Sequence, residues 1–117
     1  MTLPRRKPPK MKVREEPQVR CKEHLKWVRG HVCAVAGRRD HQCSERIEAA
    51  HVRTGTDGGM SVKPSDCYAI PLCSDAHAEQ HRIGERAFEL RYGIDMRKIA
   101  DELARRSPHR RKWEIDR

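Results

Sequence analysis

Arg46-Ile-Glu-Ala-Ala-His51-Val-Arg53, then Tyr68-Ala-Ile-Pro-Leu72 running directly into Cys73-Ser-Asp-Ala-His77-Ala-Glu-Gln-His81, is the stretch that decides the fold. The first two runs are short and mostly apolar, which predicts two strands, 46–53 and 68–72, paired antiparallel. Between them, Thr54-Gly-Thr-Asp-Gly-Gly-Met-Ser-Val-Lys-Pro-Ser-Asp66 has three glycines and one proline and predicts a long hairpin loop. In so small a domain, a connection of about a dozen residues is more often functional than decorative. After Leu72 the apolar period becomes helical. Ala76, Ile83, Ala87 and Leu90 are expected on one face, and Gly84 is expected to bend or divide the helix.

Upstream, Leu25, Trp27 and Val28 suggest a short helix within 21–32 that Gly30 stops. A short apolar piece beginning at Cys33 then leads through the polar segment 38–42 to Cys43, the shape of a knuckle presenting two thiolates. Downstream, Asp95 is the expected N-cap of a helix carrying Met96, Ile99, Ala100 and Leu103, and Ser107-Pro108 should end it. There is no internal repeat or heptad pattern. Trp27, Phe88 and Leu90 read as core residues.

The chain has 117 residues, enough for one small domain. Hydrophobic residues make up 36%, aromatic residues 4% and charged residues 37%, so the core is thin and a bound metal or partner would supplement it. The five cysteines, an odd number without a signal peptide, argue for thiolate ligands in a reducing cytoplasm over a secreted disulfide scaffold. No apolar run approaches the roughly 18 residues of a membrane span, so a soluble protein without membrane association is expected.

The net charge of +9 resides at the two ends. Residues 1–20 hold seven Lys/Arg against Glu15 and Glu16, and residues 105–117 hold six against Glu114 and Asp116; residues 21–104 carry 13 bases and 13 acids. The first arm is also Pro-rich and poor in apolar residues, so it is expected to be disordered. The chain therefore divides into an arm (1–20), an ordered domain (21–106) and a basic tail (107–117). Both ends suit the neutralisation of phosphates on DNA, although charge patterning alone also fits ends that aid solubility.

His77 and His81 are one helical turn apart, so both imidazoles project from one face and suit a divalent metal. His51 on the neighbouring strand can act as a general base, a combination that points to a metal-dependent hydrolase. Taken singly, His51 reads as an ordinary strand histidine, and the helical pair reads equally as surface residues or as a metal site. The joint arrangement favours a metal-associated site. Hydrolysing a phosphodiester needs an activated water, a cation on the developing oxyanion and help for the departing oxygen. Arg53, on the same strand face as His51, and Lys63 in the loop are candidate phosphate contacts; both also read as surface charges.

The ordered set Cys33…Cys43…Ala49-Ala-His51-Val-Arg53…Gly58-Gly-Met60…Lys63-Pro-Ser-Asp66…Ile70-Pro-Leu-Cys73…His77-Ala-Glu-Gln-His81-Arg-Ile-Gly-Glu85 resembles HNH endonucleases, particularly the small prophage-encoded group that includes recombination-enhancement nucleases. The likeness runs roughly from Leu25 to Ile94. It implies a ββα-metal fold, with His51 at the general-base position and His77 and His81 at metal-ligand positions. Asp66 falls where the family carries its middle Asn or Asp, and it also reads as a brace for the second strand. Two departures stand out. Many relatives bind a structural zinc through two Cys-x-x-Cys knuckles, but Ala36 and Ala76 occupy the second positions here. Cys33 and Cys43 then form one knuckle and Cys73 a third ligand, with Cys67, His41 or water as the fourth, or else the thiols form a packed cysteine cluster without zinc. Ala50 replaces a further metal-binding histidine that many relatives place just before the base.

The sequence thus predicts a small α+β, HNH-like (ββα-metal) domain with flanking helices and disordered basic arms. The expected activity is DNA hydrolysis with Mg2+, Mn2+ or Zn2+, in recombination or DNA processing in the cytoplasm of a bacterial or phage-infected cell. The main rival is a non-catalytic, zinc-supported nucleic-acid-binding module. A third reading is a basic adaptor for another protein.

Overall fold

The computed structural model describes residues 18–58 and 63–114. Residues 1–17, which make up most of the predicted disordered arm, lie outside the described residues. The predicted strands are present as β1, Ile47–His51, and β2, Ala69–Cys73, antiparallel, with Ile47 opposite Cys73 and His51 opposite Ala69. Pro71 has no N–H to offer a ladder, and its polar edge faces away from β1, where its carbonyl accepts from Ala34 N at 2.8 Å. Every residue of β2 is buried. Helices on both sides account for this: α1 (Lys22–Arg29), α2 (Ser74–Ile83) and α4 (Met96–Arg106) all pack against β2, so its sequence is continuously apolar instead of alternating. With α3 (Glu85–Tyr92) and α5 (Arg111–Glu114) the result is an α+β domain.

Gly30 closes α1, donating to Trp27 O, while His31 N donates to Val28 O. Gly84, at φ +92°, separates α2 from α3 in a backbone conformation that other residues rarely adopt. That break corrects the predicted apolar face. A continuous helix would align Ala76, Ile83, Ala87 and Leu90, but the turn at Gly84 resets the phase. Ala76 and Gln80 are buried from α2, and Phe88 and Tyr92 from α3, whereas Leu90 is 69% exposed and Ala87 is exposed. Trp27 is only half-buried, with its ring centroid 4.4 Å from that of His31. Asp95 caps α4 as expected, accepting from Lys98 N, and Met96, Ala100 and Leu103 enter the core at spacings of four and three.

The ordered part is wider than 21–106 at both ends. Residues 18–20 are docked on the long loop: Val19 N donates to Ser65 Oγ at 2.8 Å and Asp66 N donates to Val19 O at 2.9 Å. At the other end, Ser107 is buried and bonds His24 Nδ1 at 2.9 Å, and Trp113 of α5 lies edge-on to the same ring. The stretch from Ser107 to Glu114 is therefore packed structure, not a free tail. No helix among the described residues is long and apolar enough to cross a membrane.

Candidate functional site

His51 ends β1, and the 3-10 turn Asp66–Tyr68 begins the return into β2, so the hairpin closes Asp66 onto the histidine. Asp66 Oδ1 accepts from His51 Nε2 at 2.9 Å. Its other oxygen accepts from Cys21 N at 2.7 Å, and Arg20 reaches Oδ1 at 3.5 Å while also bonding the carbonyls of Lys63 and Pro64. Asp66 is 3% exposed and both its oxygens are engaged. It therefore orients His51. With the proton on Nε2, Nδ1 carries the lone pair. Burial lowers the pKa of His51 and outweighs the opposing hydrogen bond and charge of Asp66; the charges of Lys63 and Arg20 lower it further. Burial thus favours the neutral imidazole, the state a base requires.

The histidine lines a cleft of about 380 Å³. His51 and Arg53 form one wall; His81, Glu85 and Arg86, from the α2–α3 junction, form the other. Arg86 was not singled out by sequence. Lys63 is exposed and outside this lining.

His77 and His81 lie on one side of α2 with ring centroids 4.9 Å apart. A partner the sequence did not flag is Glu48, whose Oε1 meets His77 Nδ1 at 2.7 Å. A carboxylate on one ring nitrogen fixes the orientation of the ring and leaves Nε2 as its donor, as behind many metal-bound histidines. The available signal was an acid within an otherwise apolar strand, on the face shared with Ala50. This pair therefore fits a divalent ion with two protein donors. Among the described residues it does not belong to a larger ligand set.

Among the described residues, one group of three or more donors converges: Cys33, His41, Cys43 and Cys73, with ligand atoms all within 4.8 Å of one another. Three sulfurs and one imidazole are the donor set of a closed tetrahedral zinc site. His41 thus stands where a fourth ligand could, despite Ala36 and Ala76. Cys67 does not, since it lines a separate 450 Å³ hollow with Tyr68 and Arg97, and burial pushes its thiol up to about 11. Burial also raises the Cys73 thiol, but hydrogen bonds from His41, at 3.2 Å, and from Ala76 N and Ser44 outweigh it and bring the thiol down to about 6. Cys43 is pushed up to about 12 by desolvation and by the Cys33 and Cys73 thiols beside it. A cation would let several thiolates share so small a space, and the donor set fits one.

The cluster is built into α2. Cys73 ends β2 and its sulfur caps the helix, accepting from Ala76 N at 3.4 Å. Ser44, next to Cys43, accepts from Asp75 N at 3.2 Å. The helix that carries His77 and His81 is thus anchored at its start by the thiol knuckle.

The family described as Protein of unknown function (DUF968) matches residues 6–107. No curated protein and no solved structure matches the chain.

Proposed function

The chain belongs to the family described as Protein of unknown function (DUF968), and we propose that it is a metal-dependent endonuclease of the HNH type that hydrolyses DNA phosphodiester bonds. The observation that carries this reading is the His51–Asp66 pair, bonded at 2.9 Å, opening onto a cleft that also holds His81, Arg53 and Arg86. The order β1, long loop, β2, α2 supports it, because that is the order of a ββα-metal unit.

In this reading, His51 Nδ1 removes a proton from water that attacks phosphorus as the bond from phosphorus to the departing 3′ oxygen breaks and that oxygen takes a proton from solvent, while Asp66 holds Nε2 and stabilises the imidazolium that forms. Arg53 and Arg86 fix the phosphate between the walls. His77, oriented by Glu48, and His81 would hold a divalent ion, which supplies charge stabilisation for the pentacoordinate phosphate. Cys33, His41, Cys43 and Cys73 would hold a structural zinc that anchors α2. The basic arms add affinity without sequence readout.

Supercoiled plasmid incubated with the purified chain and Mg2+, Mn2+ or Zn2+ tests the proposal. Nicking that EDTA abolishes is expected; no cleavage with any of the three, by a chain that still binds DNA, favours a zinc-supported binding module instead.

A further inference from the structure

The two walls of the cleft are joined by one carboxylate. Glu85 Oε2 accepts from Arg53 N at 2.8 Å, and Oε1 accepts from Thr54 N at 2.9 Å and from Thr54 Oγ1 at 2.7 Å. We infer that Glu85 is a positioning residue of the cleft, setting its width and the path of the chain that leads from His51 to Arg53. This inference rests on the nuclease reading.

Several features point the same way. Sheet pairing ends at His51, and among the described residues the last main-chain bond from this strand to the other side of the hairpin is Val52 N to Tyr68 O at 2.8 Å. The next two N–H groups, those of Arg53 and Thr54, go to Glu85. The turn beyond closes on itself, with Thr56 Oγ1 donating to Val52 O at 2.8 Å. Through these two bonds Glu85 ties the main chain that carries Arg53 to the opposite wall. Gly84 delivers the carboxylate: its φ of +92° swings the chain out of α2 so that Glu85 starts α3 facing β1.

Charge supports the assignment. The other charged side chains of the lining, Arg53 and Arg86, are cationic and suit a phosphate. An unengaged carboxylate there would oppose one. Glu85 is engaged by three donors, two of them backbone amides, so its charge is largely spent on the protein. Arg53 and Thr54 are exposed, so water can replace Glu85 at their N–H groups with little loss of stability. Folding and positioning are therefore separable.

The test compares Glu85→Ala and Glu85→Gln with the wild-type chain. Glu85→Ala should lower kcat on a short duplex by about ten- to a hundred-fold, since misplacement of about 1 Å costs on that order. KM should stay within about threefold and the thermal midpoint should barely move. Gln keeps one accepting oxygen and should recover part of kcat. Amide exchange at Arg53 and Thr54, read by NMR, should quicken about tenfold or more in Glu85→Ala. Wild-type kcat in Glu85→Ala overturns the inference, as does a loss of kcat matched by a proportionate loss of folded protein. If the wild-type chain does not cleave, the nuclease reading falls by itself and amide exchange decides the clamp: quickening at both residues supports it, and unchanged exchange overturns it.

Discussion

Replacing Asp66 probes the site and the fold together. Its carboxylate is 3% exposed and takes the His51 Nε2–H at 2.9 Å and the Cys21 N–H at 2.7 Å. Hydrogen bonds to a charged group contribute about 1.5–3 kcal/mol each. The Arg20 pair, at 3.5 Å with 46% of the Arg side chain exposed, adds little. Asp66→Ala loses both strong bonds and leaves the Cys21 N–H unpaired in a buried position, so it should cost about 3–5 kcal/mol, a large share of the roughly 5–15 kcal/mol by which such domains are stable. Asp66→Asn keeps the volume and one accepting oxygen but turns an amide toward a second donor, for a cost of about 1–3 kcal/mol. In urea unfolding, a slope of about 1–3 kcal/mol per molar turns the Ala cost into a midpoint shift of about 1 M or more. Cleavage, measured where each variant remains folded, should fall further for Ala than for Asn, because only Asn can still hold Nε2. An unchanged midpoint in Asp66→Ala refutes the network, and wild-type cleavage by folded Asp66→Ala refutes the orienting role.

His24 is fully buried, and burial first, then the charge of His109, holds its pKa down to about 4 against an ordinary 6.5. The unfolded chain therefore takes up a proton that the folded chain resists. This contribution is complete above pH 6.5 and is lost as the pH falls toward 4, by up to about 3 kcal/mol; His24→Leu should flatten that limb of the stability curve, and an unaltered curve contradicts the account. Metal analysis should find one zinc per chain that Cys73→Ser or His41→Ala removes and Cys67→Ser does not; loss of zinc in Cys67→Ser would contradict the assigned ligands. Deleting residues 1–17 removes six bases and two acids, so DNA affinity should fall and its salt dependence become shallower with turnover nearly unchanged. Deleting 1–20 also removes the Val19 and Arg20 bonds to Ser65 and Asp66 and should lower turnover as well; equal turnover of the two truncations contradicts that link.

What was legible in the sequence was local. Strands, loop and helices followed from runs of apolar residues and from glycine, proline and Asp95, each acting on its own neighbourhood. His77 and His81 were readable because helical spacing alone places them together. The misses involve partners far apart in the chain: Asp66 is held by Cys21, 45 residues away, and Glu48 meets His77 across 29. No periodicity reports such pairs. His41 was one of three options for the fourth ligand because spacing cannot say which donor the knuckle turns inward. Leu90 was misplaced because the phase change at Gly84 depends on the angle of the turn, which the residue type alone does not fix.

The central claim is that His51, held by Asp66, is the base that activates water for attack on DNA. It is tested most directly by the single-turnover rate of divalent-metal-dependent plasmid nicking for the wild-type chain and His51→Ala, with circular dichroism showing both folded and calorimetry showing both binding the ion. The account predicts that His51→Ala keeps its fold and its metal and cleaves about two to four orders of magnitude more slowly. Cleavage by His51→Ala at the wild-type rate would contradict it.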